Sequence, residues 1–285
     1  ECAFIYSGAY YDETNWDGNL FYIGDFLLDS RRDKDCTEIT VKEGTVRIAH
    51  DAVGYNFPSA AEILLPAELE QAESGFLTWC EGLQSIRVDE NNAYFTAVDG
   101  VLYDKNVTAL LQYPRAKQET SFEIPETVTT LAPEALMYCR KLEHLTVPES
   151  VRTVSEYALG YCFGLERVTY MGTPEQWKKI TVSEGNENFI GAEISYCAPY
   201  TESTAVRTEN GVAVQTAAHN IEIGKAVYAA GYSGGKLVDV KKTVFADINE
   251  PLNFTLNGDI NTVTVYVWEN GLTPYAKTPE VIPVP

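Results

Sequence analysis

A glycine-flanked serine is the first pattern in this sequence that could do chemistry. Residues 231–235 run Gly-Tyr-Ser-Gly-Gly and fit G-x-S-x-G, in which a serine nucleophile lies on a sharp turn between a strand and a helix. Its triad histidine should follow it, but His50, His144 and His219 all precede Ser233. The residues after Ser233 alternate like a strand. The pattern therefore favours a hairpin turn, and a serine hydrolase stays the weaker alternative.

Phosphate and metal chemistry have still weaker support. Gly224-Lys225 lacks both the upstream glycine and the following Ser or Thr of a phosphate loop. The acids of residues 29–35 alternate with basic residues and lack the D-x-D-x-D-G spacing of a calcium loop. The three histidines are widely spaced along the chain. We therefore expect no catalytic residue, no metal and no cofactor.

The cysteines follow a repeat rather than a metal or disulfide motif. None of the six forms a C-x-x-C pair; they are Cys2, Cys36, Cys80, Cys139, Cys162 and Cys197. Cys80, Cys139 and Cys162 recur at one repeat position, which predicts a column of buried thiols behaving as small apolar side chains. One column does not converge on a point as four zinc ligands must.

A period of 23 residues organises the first two thirds of the chain. Pro125 and Pro148 stand 23 residues apart, and a Tyr-Cys pair ends 14 residues after each of them. Before the second proline, Leu142, Leu145 and Val147 mark a short strand, which a proline then ends. An Ala-Leu pair before each Tyr-Cys predicts a short helical turn. One such unit cannot bury its apolar side alone, so stacked units must form a solenoid.

Other segments interrupt or follow this period. Residues 94–103 and 20–28 predict β-hairpin insertions, the first with an Asp-Gly turn. Residues 198–204 have the composition of a linker, and residues 279–285 predict an extended, poorly ordered tail. Between them, strands are predicted at residues 221–223, 226–230, 236–240, 252–256 and 262–268. The fold class predicted is α+β: a leucine-rich-repeat solenoid at 1–197, then a small all-β, immunoglobulin-like sandwich at 198–285.

Composition narrows the possible partners. The net charge is −20, from 41 acidic and 21 basic residues, which argues against nucleic acid and anionic membrane surfaces. Acidity often serves only solubility, and calcium or a basic partner remains a sharper alternative. The chain has no apolar run long enough to span a membrane and no signal-peptide pattern. We expect that a leader and further upstream repeats were removed.

The strand faces of the solenoid are the predicted binding surface. If the apolar positions of each strand point inward, the residues between them point outward, where repeat proteins bind partners. An ordinary solvated sheet is the alternative. The candidate binding residues are Gln84, Ser85, Arg87, Glu143, His144, Thr146, Glu166, Arg167 and Thr169.

These repeats resemble a known family. The pattern Ile-Pro-x-x-Val, then Ala-Leu, then Tyr-Cys-x-x-Leu resembles the BspA-like leucine-rich repeats of bacterial surface proteins across about residues 1–196. Supporting segments are residues 15–16, 20–28, 41–45, 99–103 and 172–177. The chain departs from the pattern at Asn56, Asp89 and Met171, which replace the cysteine or proline, so we expect irregular end repeats.

The resemblance implies a role outside the cell. It implies an extracellular or cell-surface protein that adheres to a protein or glycan on a host matrix or on another cell, and it supplies no catalytic residues. A structural spacer that holds other domains away from the cell is the second hypothesis. The two differ in whether the repeat surface has a ligand.

Overall fold

A computed structural model describes residues 7–54, 56–247, 250–268, 276 and 279–284. The chain divides into two compact units. The first comprises Glu1–Met171 with Gln176–Ser195, and the second comprises Gly172–Glu175 with Tyr196–Pro285. The two units are described in turn.

The first unit is built almost entirely from short strands. These are β1 (Trp16–Asp17), β2 (Leu20–Ile23), β3 (Phe26–Ser30), β4 (Glu38–Thr40), β5 (Arg47–Ile48), β6 (Glu62–Leu65), β7 (Gln71–Ala72), β8 (Ser85–Val88), β9 (Phe95–Val98), β10 (Val101–Asp104), β11 (Ala109–Gln112), β12 (Ser121–Glu123), β13 (Thr130–Leu131), β14 (His144–Val147), β15 (Thr153–Val154), β16 (Arg167–Tyr170), β17 (Thr181–Val182) and β18 (Glu193–Tyr196). The described helices are a 3₁₀ turn at Glu13–Asn15, α1 (Pro174–Trp177) and α2 (Glu187–Gly191).

Equivalent strands of successive repeats stack in parallel, and the chain makes about seven turns of a solenoid. On one side, β4, β6 and β8 form a sheet, and β12, β14, β16 and β18 form another. On a second side, two-residue strands pair in the same way, as when Leu131 pairs with Val154. Leu145, Val147 and Val168 are fully buried, so the apolar positions of each repeat form the core, as the period predicts.

Both predicted hairpin insertions are confirmed. β9 and β10 pair antiparallel across Asp99 and Gly100, whose φ values of 50° and 77° fit a type I′ turn. β2 and β3 pair antiparallel across a turn in which Gly24 has a φ of 65°. In both hairpins a glycine takes a backbone conformation that other residues reach only with strain.

The predicted helical turns are wrong. The segments around Ala135-Leu136 and Ala158-Leu159 are irregular turns. Glu134 and Tyr138 have φ values of 60° and 61°, and Tyr157 and Tyr161 have values of 52° and 58°. Left-handed residues spaced four apart cannot belong to one right-handed helix. Each of these two repeats therefore turns its corner through two left-handed residues.

The cysteine column is confirmed within the described residues. Cys80, Cys139 and Cys162 are 0%, 2% and 0% exposed, and none of them is in a disulfide. Cys36 is partly buried and Cys197 is exposed, outside the column. Cys2 lies outside the described residues.

The second unit consists of two antiparallel sheets around one core. Its strands are β19 (Tyr200–Thr208), β20 (Gly211–His219), β21 (Ala226–Ser233), β22 (Lys236–Val244), β23 (Leu252–Asn257), β24 (Thr262–Trp268) and β25 (Glu280–Pro283). One sheet has the order β19-β20-β23 and the other β22-β21-β24-β25. Val212 and Phe254 from the first sheet and Val227 and Val265 from the second belong to one buried cluster.

Three sequence predictions for this unit are wrong. Residues 221–223 form no strand, and the predicted linker runs into β19, which begins at Tyr200. The predicted loose tail includes β25, which pairs with β24. Pro283 is compatible with this strand because β25 is at a sheet edge, where proline's missing N–H is tolerated. Small polar residues obscured the alternation in β19.

Candidate binding surface of the repeat region

The polar side chains of β12, β14 and β16 stand in one parallel ladder. One row contains Ser121, His144 and Arg167, and the next contains Glu123, Thr146 and Thr169. The residues between the two rows, Leu145 and Val168, are fully buried. Because successive side chains of a strand point to opposite faces, both rows face outward.

Side-chain hydrogen bonds connect neighbouring strands of this sheet. The distance from His144 Nε2 to Thr169 Oγ1 is 2.7 Å, and Thr169 Oγ1 lies 3.2 Å from Ser195 Oγ. The imidazole of His144 donates or accepts according to its tautomer. These contacts join three consecutive coils through side chains alone and fix the orientation of the imidazole.

Two exposed glutamates stack beside these rows. The backbone N–H of Glu166 donates to the carbonyl oxygen of Glu143 at 2.9 Å, so the two residues occupy the same position in consecutive coils. Neighbouring strands lie about 4.8 Å apart, a distance at which like charges repel. The next residue, Arg167, is also exposed. These three residues thus place two carboxylates and one guanidinium at a fixed spacing.

The structure separates three of the nine predicted residues from the other six. Gln84, Ser85 and Arg87 lie on or beside β8, in the sheet with β4 and β6. The Ile86 N–H donates to the carbonyl oxygen of Gly100 at 2.9 Å, so the β9–β10 turn occupies the edge of β8. Arg87 forms a contact within this sheet, because its Nη1 lies 3.5 Å from Oε2 of Glu62 on the neighbouring strand β6.

An aromatic stack on the corner turns escaped the sequence analysis. The Tyr138 ring lies 4.9 Å from the Trp79 ring and 4.8 Å from the Tyr161 ring, stacked on the latter at 9°. The signal was present in the sequence, because an aromatic residue precedes each cysteine of the column. Tyr138 and Tyr161 face each other and Trp79 is tilted by 45° to Tyr138, so the stack joins coils through aromatic contacts, and Tyr161 remains 40% exposed.

A polar cluster lies on the same corner. His50 Nε2 is 3.6 Å from Glu134 Oε1, and His50 Nδ1 is 3.3 Å from Asp51 Oδ2. The Thr78 hydroxyl donates to Glu134 Oε2 at 2.9 Å. Within the residues that the structure describes, no three His, Cys, Asp or Glu side chains are grouped so as to hold a metal ion. The cluster therefore links residues of different coils.

The ladder strands lie in a segment with a recognisable family pattern. Residues 115–184 match the family model described as "BspA type Leucine rich repeat region (6 copies)". This segment is a BspA-type leucine-rich-repeat region. It includes β12, β14 and β16, and therefore the six ladder residues.

Solved structures with similarity to the chain include other repeat proteins. The pneumococcal vaccine antigen PcpA is 27% identical with a TM-score of 0.40, over 43% of this chain and 30% of PcpA. A leucine-rich repeat protein from Eubacterium ventriosum is 20% identical with a TM-score of 0.36, over 48% of this chain and 55% of its own. A leucine rich cell surface protein from Faecalibacterium prausnitzii is 17% identical with a TM-score of 0.30, over 52% and 63%. The chain thus spans less than two thirds of each.

A search of curated proteins finds no match. Among the helices of the described residues, none is both long and apolar enough to cross a membrane.

The serine motif lies outside the BspA-type repeats and has the wrong structural context for a nucleophile. Ser233 is the last residue of β21, and Gly234-Gly235 turn the chain directly into β22. Both glycines have positive φ values, 55° and 78°, as in a tight hairpin turn. A nucleophile elbow requires a helix after the serine. The motif is therefore a turn signal.

Proposed function

We propose that this chain is a non-catalytic binding module displayed outside a bacterial cell. It attaches to a protein on a host matrix or on a neighbouring cell through one surface, here named the ladder surface. The ladder surface consists of Glu143, His144, Thr146, Glu166, Arg167 and Thr169. The BspA-type repeats support the placement at the cell surface.

The in-register ladder is the observation that carries this proposal. Backbone pairing holds each strand against the next, and a hydrogen bond between His144 and Thr169 further fixes these two side chains. A partner therefore meets side chains whose positions are already ordered. Preorganised surfaces of this kind gain affinity because little conformational entropy is lost on binding.

The chemistry of the surface favours a protein partner over a glycan. A sugar ring is commonly held by stacking on an aromatic side chain, and the two outward rows of β12, β14 and β16 contain none. The stacked Glu143 and Glu166 carboxylates match a Lys or Arg side chain of a partner, which would relieve their mutual repulsion. The net charge of −20 would steer a basic surface towards the chain.

We further propose that the second unit is an immunoglobulin-like sandwich. The part of this unit that the structure describes has seven strands in a three-plus-four arrangement of antiparallel sheets, which supports this assignment. The arrangement differs from a constant-type domain, because β22 pairs with β21 rather than with β23. Immunoglobulin-like sandwiches vary in this way.

Charge-matched variants on two parts of the solenoid test the ladder surface. The ladder variant is Glu143→Gln with Glu166→Gln, and the control is Glu126→Gln with Glu156→Gln, exposed acids outside the ladder surface. Both change the net charge equally. The probes are immobilised extracellular matrix proteins and intact host cells, scored for retention of labelled protein at low and high salt.

We expect retention of the wild-type chain on at least one probe, a roughly tenfold loss in the ladder variant, and no loss in the control. A tenfold loss corresponds to about 1.4 kcal/mol, a reasonable effect for charged contacts at an interface. Equal losses in both variants would show that only net charge matters. Absence of retention on every probe would favour the spacer hypothesis.

A further inference from the structure

A cavity interrupts the side of the solenoid that is formed by the two-residue strands. These strands stack in two separate sheets, one of which ends at β7 while the other contains β11 and β13. The cavity lies between the two sheets and has a volume of about 230 Å³. Residues 72–76 form one wall, and Leu111, Ala132 and Pro133 form the other. The ladder surface lies on a different sheet.

A small residue at a core position accounts for this space. The register pairs Ala72 at the end of β7 with Ile48 at the end of β5, and the Ile48 side chain is 1% exposed. The corresponding residues at the ends of β13 and β15 are Leu131 and Val154, both fully buried. Alanine lacks the branched side chain that the other coils place here. A core position that loses volume leaves a cavity when its neighbours do not move in to fill it.

Contacts between the two walls hold them at a fixed separation. Thr78, in the same corner turn as Phe76, donates to Oε2 of Glu134 at 2.9 Å, and Glu134 directly follows Pro133 of the opposite wall. The Gly75 backbone also lies against this carboxylate, because a Cβ on the glycine would be 2.6 Å from Glu134 Oε2. The cavity is therefore part of the folded structure, and a ligand that enters it needs little rearrangement of the protein.

The lining is apolar at its base and polar at its mouth. Phe76 and Leu102 are 3% and 0% exposed and form the base, whereas Glu73 and Ser74 are exposed and lie at the mouth. Among the lining residues, all of which the structure describes, Glu73 is the one with a charge. Small-molecule sites commonly combine an apolar lining with a few polar groups at defined positions. The Glu73 carboxylate accepts a hydrogen bond from a ligand and repels an anionic one.

We propose that this cavity binds a small, uncharged aromatic molecule that has an N–H or O–H group. An apolar cavity of about 150 Å³ holds one benzene ring, so the present volume of about 230 Å³ has room for two fused rings. It is smaller than the ~300 Å³ at which pockets for drug-sized ligands begin, which excludes larger molecules. The ligand ring packs against the Phe76 ring and Leu102, and its polar hydrogen points to Glu73 or Ser74 at the mouth.

Indole is the probe for this site, because it has two fused rings and one N–H donor. Its binding to the intact chain is measured by isothermal titration calorimetry and saturation-transfer NMR. The first filling variant is Ala72→Ile, which gives β7 the side chain that β5 has at the paired position. The second is Ala132→Leu, which fills the space from the opposite wall. The control is Ala61→Ile, at a half-buried alanine directly before β6 and outside the lining. Far-UV circular dichroism and thermal melting check the folding of each variant.

We expect saturable binding of indole with a Kd of about 0.1–1 mM, since a ligand of so few atoms makes limited contact. The Kd should rise at least tenfold in both filling variants and stay unchanged in the control. Indole-3-carboxylate should bind the wild-type chain more weakly than indole, and Glu73→Gln should narrow this difference by removing the repulsion between carboxylates.

Absence of saturable indole binding to the wild-type chain would overturn the proposal, as would equal binding in the wild-type chain and a folded filling variant. A higher melting temperature of Ala72→Ile, together with no indole binding to the wild-type chain, would show that the space is only a packing void. An unchanged preference for indole over indole-3-carboxylate in Glu73→Gln would contradict the placement of this carboxylate beside the ligand.

Discussion

The Cys162 thiol donates a hydrogen bond to the carbonyl oxygen of Leu136, one coil earlier, at a sulfur–oxygen distance of 3.0 Å. Cys80 makes a longer contact of the same kind, with its sulfur 3.6 Å from the Gly54 carbonyl oxygen. The column cysteines are thus more than small apolar side chains. At these two positions, the thiol also donates a hydrogen bond to a carbonyl oxygen in a corner turn, outside the regular strand pairing.

Serine substitutions should separate these two roles. Cys162→Ser retains a donor that faces the Leu136 carbonyl. Cys139→Ser places a hydroxyl at a site 2% exposed, where the described residues show no hydrogen bond from the thiol to an acceptor. A buried hydroxyl without a partner costs roughly 1–3 kcal/mol. We therefore expect Cys139→Ser to lower the free energy of unfolding more than Cys162→Ser does, measured by urea unfolding. The two alanine variants serve as controls, and equal losses in the two serine variants would contradict the assignment.

The pH dependence of stability should report on Cys80. Burial raises the pKa of this thiol to about 12, while an unfolded cysteine ionises near pH 8.5. Above that pH the unfolded thiol loses its proton and the folded thiol keeps it, so ionisation favours unfolding. The free energy of unfolding of the wild-type chain should therefore fall relative to Cys80→Ala between about pH 8.5 and 11. Urea unfolding of both proteins across this range measures it, and a constant difference would argue against a buried, protonated thiol.

The sequence predicts the solenoid coil well because the repeat period aligns both the buried and the exposed residues of successive coils. The 23-residue spacing places Leu145 beside Val168 and therefore also Glu143 beside Glu166. Six candidate binding residues thus come together through local regularity alone. Ser85 and its neighbours do not join them, because the β9–β10 turn lies against β8. Contact between an insertion and a strand is a tertiary effect that no repeat pattern contains.

The corner turns show a second reason why the sequence analysis failed to predict part of the structure. Glu134 and Tyr161 take left-handed conformations that their residue types rarely adopt. Local propensity therefore favours the helical turn that the sequence analysis predicts. The stacked rings and the buried cysteine column hold the observed conformation instead. Where packing outweighs propensity in this way, a single sequence gives no warning.

At position 161, we expect a glycine substitution to destabilise the protein less than an alanine substitution does, the reverse of the usual order. Its φ of 58° strains any residue with a Cβ by roughly 1–2 kcal/mol, and glycine avoids this strain. Tyr161→Ala loses the stacking on Tyr138 and keeps the strain, whereas Tyr161→Gly loses the stacking and relieves the strain. We expect Tyr161→Gly to be the more stable variant in thermal and urea unfolding. If alanine were more stable, the corner would not have the left-handed backbone.

Gly100 should be less replaceable than Gly234. Both have positive φ values, 77° and 55°, so alanine strains the backbone at either site. A Cβ on Gly100 would also lie 2.9 Å from Ser85 Oγ and 3.2 Å from Ser85 Cα, whereas a Cβ on Gly234 meets no atom within 4 Å. We expect Gly100→Ala to lower the melting temperature more than Gly234→Ala. Equal effects would show that the hairpin turn does not press against β8.

A double-mutant cycle should isolate the contact between Thr78 and Glu134. The Thr78 side chain is 1% exposed, and its hydroxyl donates to the Glu134 carboxylate, so Glu134→Ala leaves a buried donor without this acceptor. That loss costs roughly 1–3 kcal/mol, and Glu134→Gln should cost less because its amide oxygen can still accept. In a Thr78→Val background the hydroxyl is absent, so Glu134→Ala should then have a much smaller effect on the free energy of unfolding. Additive losses across the cycle, measured by urea unfolding, would show that the Thr78 and Glu134 side chains do not interact.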